Sequence, residues 1–135
     1  MKIPSTLPTT IAAAALLTAT LPLVTAGSAQ ASGGDGRVIN TGSCSGSTDW
    51  KMKAKPDDGR IEVEAEIDSN RTGQRWRWVL KHDGGVTARG TSVTRGRSGS
   101  FSVERRTVDA DGPDRFTFRA VNRSSGEVCV ASVRR

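Results

Sequence analysis

The stretch QRWRWVLKHDGG, Gln74 to Gly85, concentrates the side chains with most chemistry to offer. Arg75, Arg77 and Lys81 suit an anion, and Trp76 and Trp78 suit a stacked ring. Platforms for single-stranded nucleic acid expose aromatics beside their cations. The spacing here argues otherwise. Alternate residues of an extended chain share a face. Trp76, Trp78 and Leu80 therefore point one way, and Arg75, Arg77, Val79 and Lys81 the other. The tryptophans are expected in a core with the cations in solvent, and no nucleic acid is expected as partner.

Catalytic chemistry is harder to assemble. His82 is the only histidine, the chain has no tyrosine, and no nucleophile elbow surrounds any serine. Asp57-Asp58 and the run Asp109, Asp111, Asp114 are carboxylates of the kind that form turns by bonding to backbone. Asp109-Ala110-Asp111-Gly112 lacks the further oxygen ligands and terminal Glu of a calcium loop. No His/Cys cluster suggests zinc, and no phosphate loop is present. A non-catalytic protein without metal or cofactor is the expectation. Asn70-Arg71-Thr72 and Asn122-Arg123-Ser124 fit the glycosylation sequon, which matters only in a glycosylating organism.

The N-terminus sets the compartment. Met1–Ala31 reads as a secretory signal peptide: Lys2, then an apolar run over Ile11–Ala26, then the small-residue site Ala29-Gln30-Ala31. The run is too short and too broken by Pro22 for a membrane span, and no basic stop-transfer cluster follows. A secreted, extracellular or envelope-associated protein is expected, not a transmembrane one. Cys44 and Cys129, the only cysteines, are then expected to form a disulfide. Arginine outnumbers lysine in a chain of net charge +6, and removing Lys2 with the leader lowers that charge by one.

The elements that position these residues are strands. Ser32–Thr48 is expected to be a flexible leader and first-Cys loop, with at most a stub strand over Arg37–Asn40. The sandwich proper is expected over Asp49–Arg135. Asp49–Lys55 and Arg60–Asp68 alternate with a period of two, Lys51, Lys53 and Lys55 opposing an acidic row of Glu62, Glu64 and Glu66. A turn over Pro56–Gly59 places Ala54 opposite Ile61 and Lys53 opposite Glu62. Further strands follow over Gln74–His82, Val86–Thr94, Phe101–Val108 with a bulge near Arg105-Arg106, Arg115–Asn122 and Val128–Arg134. Trp50, Trp76, Trp78, Phe101, Phe116 and Phe118 supply the core. About seven short strands without a helix indicate an all-β, two-sheet antiparallel sandwich, with a small closed barrel as the alternative.

The run DGPDRFTFRAVN resembles the corner and sixth strand of an immunoglobulin-type domain. Asp111 and Gly112 lie in the corner, Phe116 stands for the usual Tyr, Phe118 for the usual Cys, and Ala120 and Asn122 match. Trp78 takes the place of the core Trp of the third strand. Phe116 has no hydroxyl for the corner bond, and the usual cysteine pair is replaced by apolar residues. The chain after the leader is also similar to small exported β-sandwich proteins of actinobacteria, a likeness that carries over no catalytic or binding residue. An immunoglobulin-like order implies that the third, sixth and seventh strands share a sheet. Its outer face would present Arg75, Arg77, Lys81, Arg119 and Arg134 around an apolar centre. Such a face can steer an anionic cell-wall or membrane-surface polymer, or an acidic protein. The other readings are a structural envelope protein without a discrete ligand, and an inhibitor or small-ligand carrier using loops Arg95–Ser100 and Asp109–Asp114.

Overall fold

The computed structural model describes Ala31–Ser32, as backbone, and Gly34–Arg135. The leader Met1–Ala31 lies outside the described residues apart from Ala31. Strands run in chain order as β1 (Ala31–Ser32), β2 (Val38–Ser43), β3 (Asp49–Asp57), β4 (Arg60–Asp68), β5 (Arg75–His82), β6 (Gly85–Val93), β7 (Ser100–Val108), β8 (Arg115–Asn122) and β9 (Val128–Arg134). They form two antiparallel sheets, ordered β1-β2-β3-β4-β7 and β6-β5-β8-β9. This is an immunoglobulin-like β-sandwich. The third, sixth and seventh strands of the sequence reading, β5, β8 and β9, lie side by side as expected.

The core follows from the alternation. Met52 and Ala54 of β3, Ile61, Val63 and Ile67 of β4, and Trp76, Trp78 and Leu80 of β5 are buried together with Phe101, Phe116 and Phe118. Both tryptophans of the RWRW run therefore point inward. Trp78 stacks on Phe118 with ring centroids 5.6 Å apart, and its Nε1 donates to Ser92 Oγ at 3.0 Å. Among the described residues Trp76 Nε1 finds no acceptor.

Four expectations need correction. Val38–Ser43 is a paired strand rather than a flexible leader, because Thr41 and Val38 take register against Lys51 and Ala54 of β3. The β3–β4 hairpin is tighter than the Pro56–Gly59 turn implied. Asp58 and Gly59 have φ of 48° and 73°, the left-handed pair of a two-residue turn that matches strand twist. Pairing therefore continues through Pro56↔Ile61, and Ala54 meets Val63 while Lys53 meets Glu64. A slip of two residues keeps every side chain on its expected face. The bulge lies on β6, where Thr87 is the extra residue opposite Leu80 and Lys81 of β5, not near Arg105, since β4 and β7 pair without interruption from Arg60↔Val108 to Asp68↔Ser100. Trp50 is half-buried rather than central. Its indole lies flat on Gly42 of β2, where an added Cβ would come within 2.6 Å of the ring.

The outer face of the first sheet is charge-compensated. Lys51, Lys53 and Lys55 pair with Glu66, Glu64 and Glu62 at 3.6, 2.7 and 3.1 Å. The hydrogen bond from Lys55 to Glu62 holds that ammonium above the ordinary lysine value.

Cys44, just past β2, is bonded to Cys129, buried on β9, across 85 residues of sequence. The expected disulfide is present and joins the two sheets. Serine at both positions should lower stability by about 4.5 kcal/mol on the chain-entropy model. Urea denaturation of the oxidised protein and of the double variant checks this; equal midpoints would show that the core alone holds the sheets together.

Candidate functional site

The four strands of the second sheet contain no Asp or Glu: RWRWVLKH, GVTARGTSV, RFTFRAVN and VCVASVR. Every carboxylate that lies within one of the longer strands belongs to the first sheet. Because β5, β8 and β9 bury one face each, the cations of the second sheet are all driven to the other.

The register places them. Arg119 lies between Val79 of β5 and Val130 of β9. Arg77 is opposite Val121, and Lys81 is opposite Thr117. Arg75, at the start of β5, and Arg134, opposite Arg115 at the start of β8, occupy opposite ends of the face. All five expected residues, Arg75, Arg77, Lys81, Arg119 and Arg134, are exposed on this surface. Two further cations join them. Arg89 of β6 is opposite Val79, and Arg115 shares the outward row of Thr117 and Arg119. Arg89 escaped notice because β6 alternates weakly, with Gly85, Val86 and Thr87 all exposed in succession.

The face is cationic with an apolar centre. Val130 is 60% exposed, and Val79 and Val121 are half-buried beside it. A shallow depression between Val79, Lys81, Thr117, Arg119 and Val130 adjoins another bounded by Arg77, Val121 and Arg123. None of the ion pairs among the described residues involves Arg75, Arg77, Lys81, Arg89 or Arg119. Their charge is uncompensated by neighbours, unlike that of the lysine row on the other sheet.

The loops expected of a ligand carrier do not meet. Arg95–Ser100 and Asp109–Asp114 sit at opposite ends of β7. The first is pinned to the β4–β5 turn, where Ser69 N–H donates to Gly99 O at 3.0 Å and Thr72 Oγ1 to Gly96 O at 2.7 Å. Of the sequon asparagines, Asn70 is exposed, whereas Asn122 is buried and accepts from the Ser124 and Ser125 N–H groups.

One cluster has no counterpart in the sequence reading. His82 Nε2 lies 2.5 Å from Asp114 Oδ1 and 3.4 Å from Asp83 Oδ2. Its ring stacks on Phe116 at 4.4 Å between centroids. Asp114 is almost wholly buried, and its Oδ1 also accepts from Ala110 N–H at 3.3 Å. The separation of 32 residues between His82 and Asp114 hid this pairing. Donor atoms of His82, Asp83 and Asp114 all lie within 4.8 Å of one another. The cluster joins one histidine to two carboxylates rather than to further His or Cys residues, a grouping that local spacing in the sequence does not display.

No protein-family model matches the chain, and no curated protein or solved structure matches it. The immunoglobulin-like architecture rests on strand order and core alone, and the likeness to exported actinobacterial proteins gains no support. Among the described residues no helix is long and apolar enough to cross a membrane.

Asp114 anchors the end of the second sheet. Replacing it with Ala removes the hydrogen-bond partner of His82 and of the Ala110 N–H, and a buried polar group left without its partner costs about 1–3 kcal/mol. Chemical denaturation should show that loss; a change below about 1 kcal/mol would mean that water replaces the carboxylate without penalty.

Proposed function

We propose that the protein is an exported, non-catalytic binding module that holds an anionic polymer of the cell envelope on the outer face of its second sheet. The observation that carries this reading is the partition of charge. The strands β5, β6, β8 and β9 hold no carboxylate, and their cations share one surface. On the other sheet the lysines are neutralised by a matching glutamate row. A field of one sign attracts a polyanion and raises its encounter rate. Residues two apart on a strand are separated by about 6.8 Å. Arg75 and Arg77 thus offer regularly spaced positive charges along β5, and Arg119 extends them across the sheet. The valines between the cations suit the apolar backbone of a polymer better than a small, fully hydrated ion. The signal-like N-terminus supports export, and the cross-sheet disulfide suits an oxidising compartment.

The test is co-sedimentation of the oxidised protein with purified envelope from the producing organism, at low and at physiological salt. Saturable pelleting that weakens with salt is expected. The double variant Arg75→Glu, Arg77→Glu should lose that pelleting. Its melting temperature should stay within about 4 °C of the parent, since exposed substitutions change stability little. Pelleting that survives the charge reversal would sink the basic-face reading. No pelleting at either salt would favour a structural protein or a soluble partner.

A further inference from the structure

We propose that His82, Asp83 and Asp114 form a binding site for a divalent transition metal, with Zn2+ the best fit. One imidazole nitrogen and two carboxylate oxygens converge within 4.8 Å. That donor set is borderline in softness and suits Zn2+, which takes His nitrogen and Asp oxygen at about 2.0–2.2 Å. Ligand atoms around a tetrahedral ion of that size are about 3.4 Å apart. The His82 Nε2–Asp83 Oδ2 separation is already 3.4 Å. Asp114 Oδ1, at 2.5 Å from the same nitrogen, withdraws by about 1 Å to admit the ion.

Each donor is held by a separate contact from the surrounding fold. Asp83 uses its other oxygen, Oδ1, to accept from Arg115 N–H at 2.8 Å, which leaves Oδ2 turned to the imidazole. The main chain of Asp114 is fixed by reciprocal bonds with Arg135, at 2.8 and 2.9 Å, so the withdrawal that admits the ion falls on its side chain, whose Oδ1 has a long 3.3 Å contact from the Ala110 N–H. The His82 ring is clamped against Phe116. Such outer contacts orient metal ligands and raise affinity. Electrostatics favours a cation as well. Two carboxylates face a single imidazole, so even a protonated ring leaves negative charge over. Asp83 is the exposed member and gives the ion a route in, with its side chain 46% accessible. Three protein ligands leave a fourth position for water or an outside group. The ion would add its charge at the Lys81 and Arg115 end of the cationic face, although the site stands independently of what that face binds.

The experiment is a titration of the oxidised, chelator-treated protein with ZnCl2, followed by calorimetry, by melting temperature and by the ring nitrogen signals of His82. The chain has one histidine, so those signals are unambiguous. Saturable binding of one ion, a higher melting temperature and displacement of the His82 Nε2 resonance are expected. His82→Gln and Asp83→Asn should each weaken binding at least tenfold. Asp83 is on the surface, so its variant tests the site even if Asp114 variants unfold. The proposal is overturned by no binding at millimolar Zn2+. It is equally overturned by an unmoved His82 resonance, or by unchanged affinity in His82→Gln or Asp83→Asn.

Discussion

Each long strand of this sandwich can bury only one of its two faces, and the rest of the structure depends on that constraint. A pleated strand sends successive side chains to opposite sides. With two sheets closing on one core, every strand has an inner row that must be apolar and an outer row that is left to water. Trp76, Trp78 and Leu80 satisfy the first condition on β5, and Arg75, Arg77 and Lys81 satisfy the second. The same rule acting on β3 and β4 produces the lysine and glutamate rows. The surface chemistry of the two sheets is therefore a by-product of how the core is packed.

That by-product differs sharply between the sheets. On β3 and β4 opposite charges face each other across a hairpin, and they pair. Such exposed pairs contribute at most about 1 kcal/mol each, but they oppose a slip of one residue that would bring the rows out of register. On the second sheet no acidic row exists to meet the basic one. The cations there gain nothing from one another and repel at close range. A field of this kind costs some stability and confers attraction for anions, which is why the second sheet and not the first carries the proposed function.

A domain of this size has little margin, and two features reinforce its ends. The Cys44–Cys129 bond ties the end of β2 to β9 across the sandwich. At the opposite end, Asp114 gathers His82, the Ala110 N–H and the main chain of Arg135. The first closes a long loop and acts mainly on the unfolded chain. The second satisfies polar groups that would otherwise be buried without partners. The same buried carboxylate positions His82, while Asp83 is held by the main chain of Arg115, so the stabilising contact and the proposed metal site share atoms.

The sequence by itself determined what depends on local periodicity. Alternation named the inward tryptophans, the outward arginines and lysines, and the strands that carry them. The two cysteines implied their bond because no other partner exists in the chain. Tertiary structure decided what depends on register and on distant approach. Asp58-Gly59 formed a two-residue turn, and the left-handed φ values of that pair moved the β3–β4 pairing by two residues. Val38–Ser43 became a strand because β3 had an open edge to pair with it, although its own alternation is poor. Arg89 joined the cationic face only when β6 took its place beside β5. His82 and Asp114 met because the β5–β6 turn and the start of β8 lie at the same end of one sheet. Periodicity is a property of neighbours along the chain, and these approaches are set by hydrogen-bonded pairing between segments far apart in it.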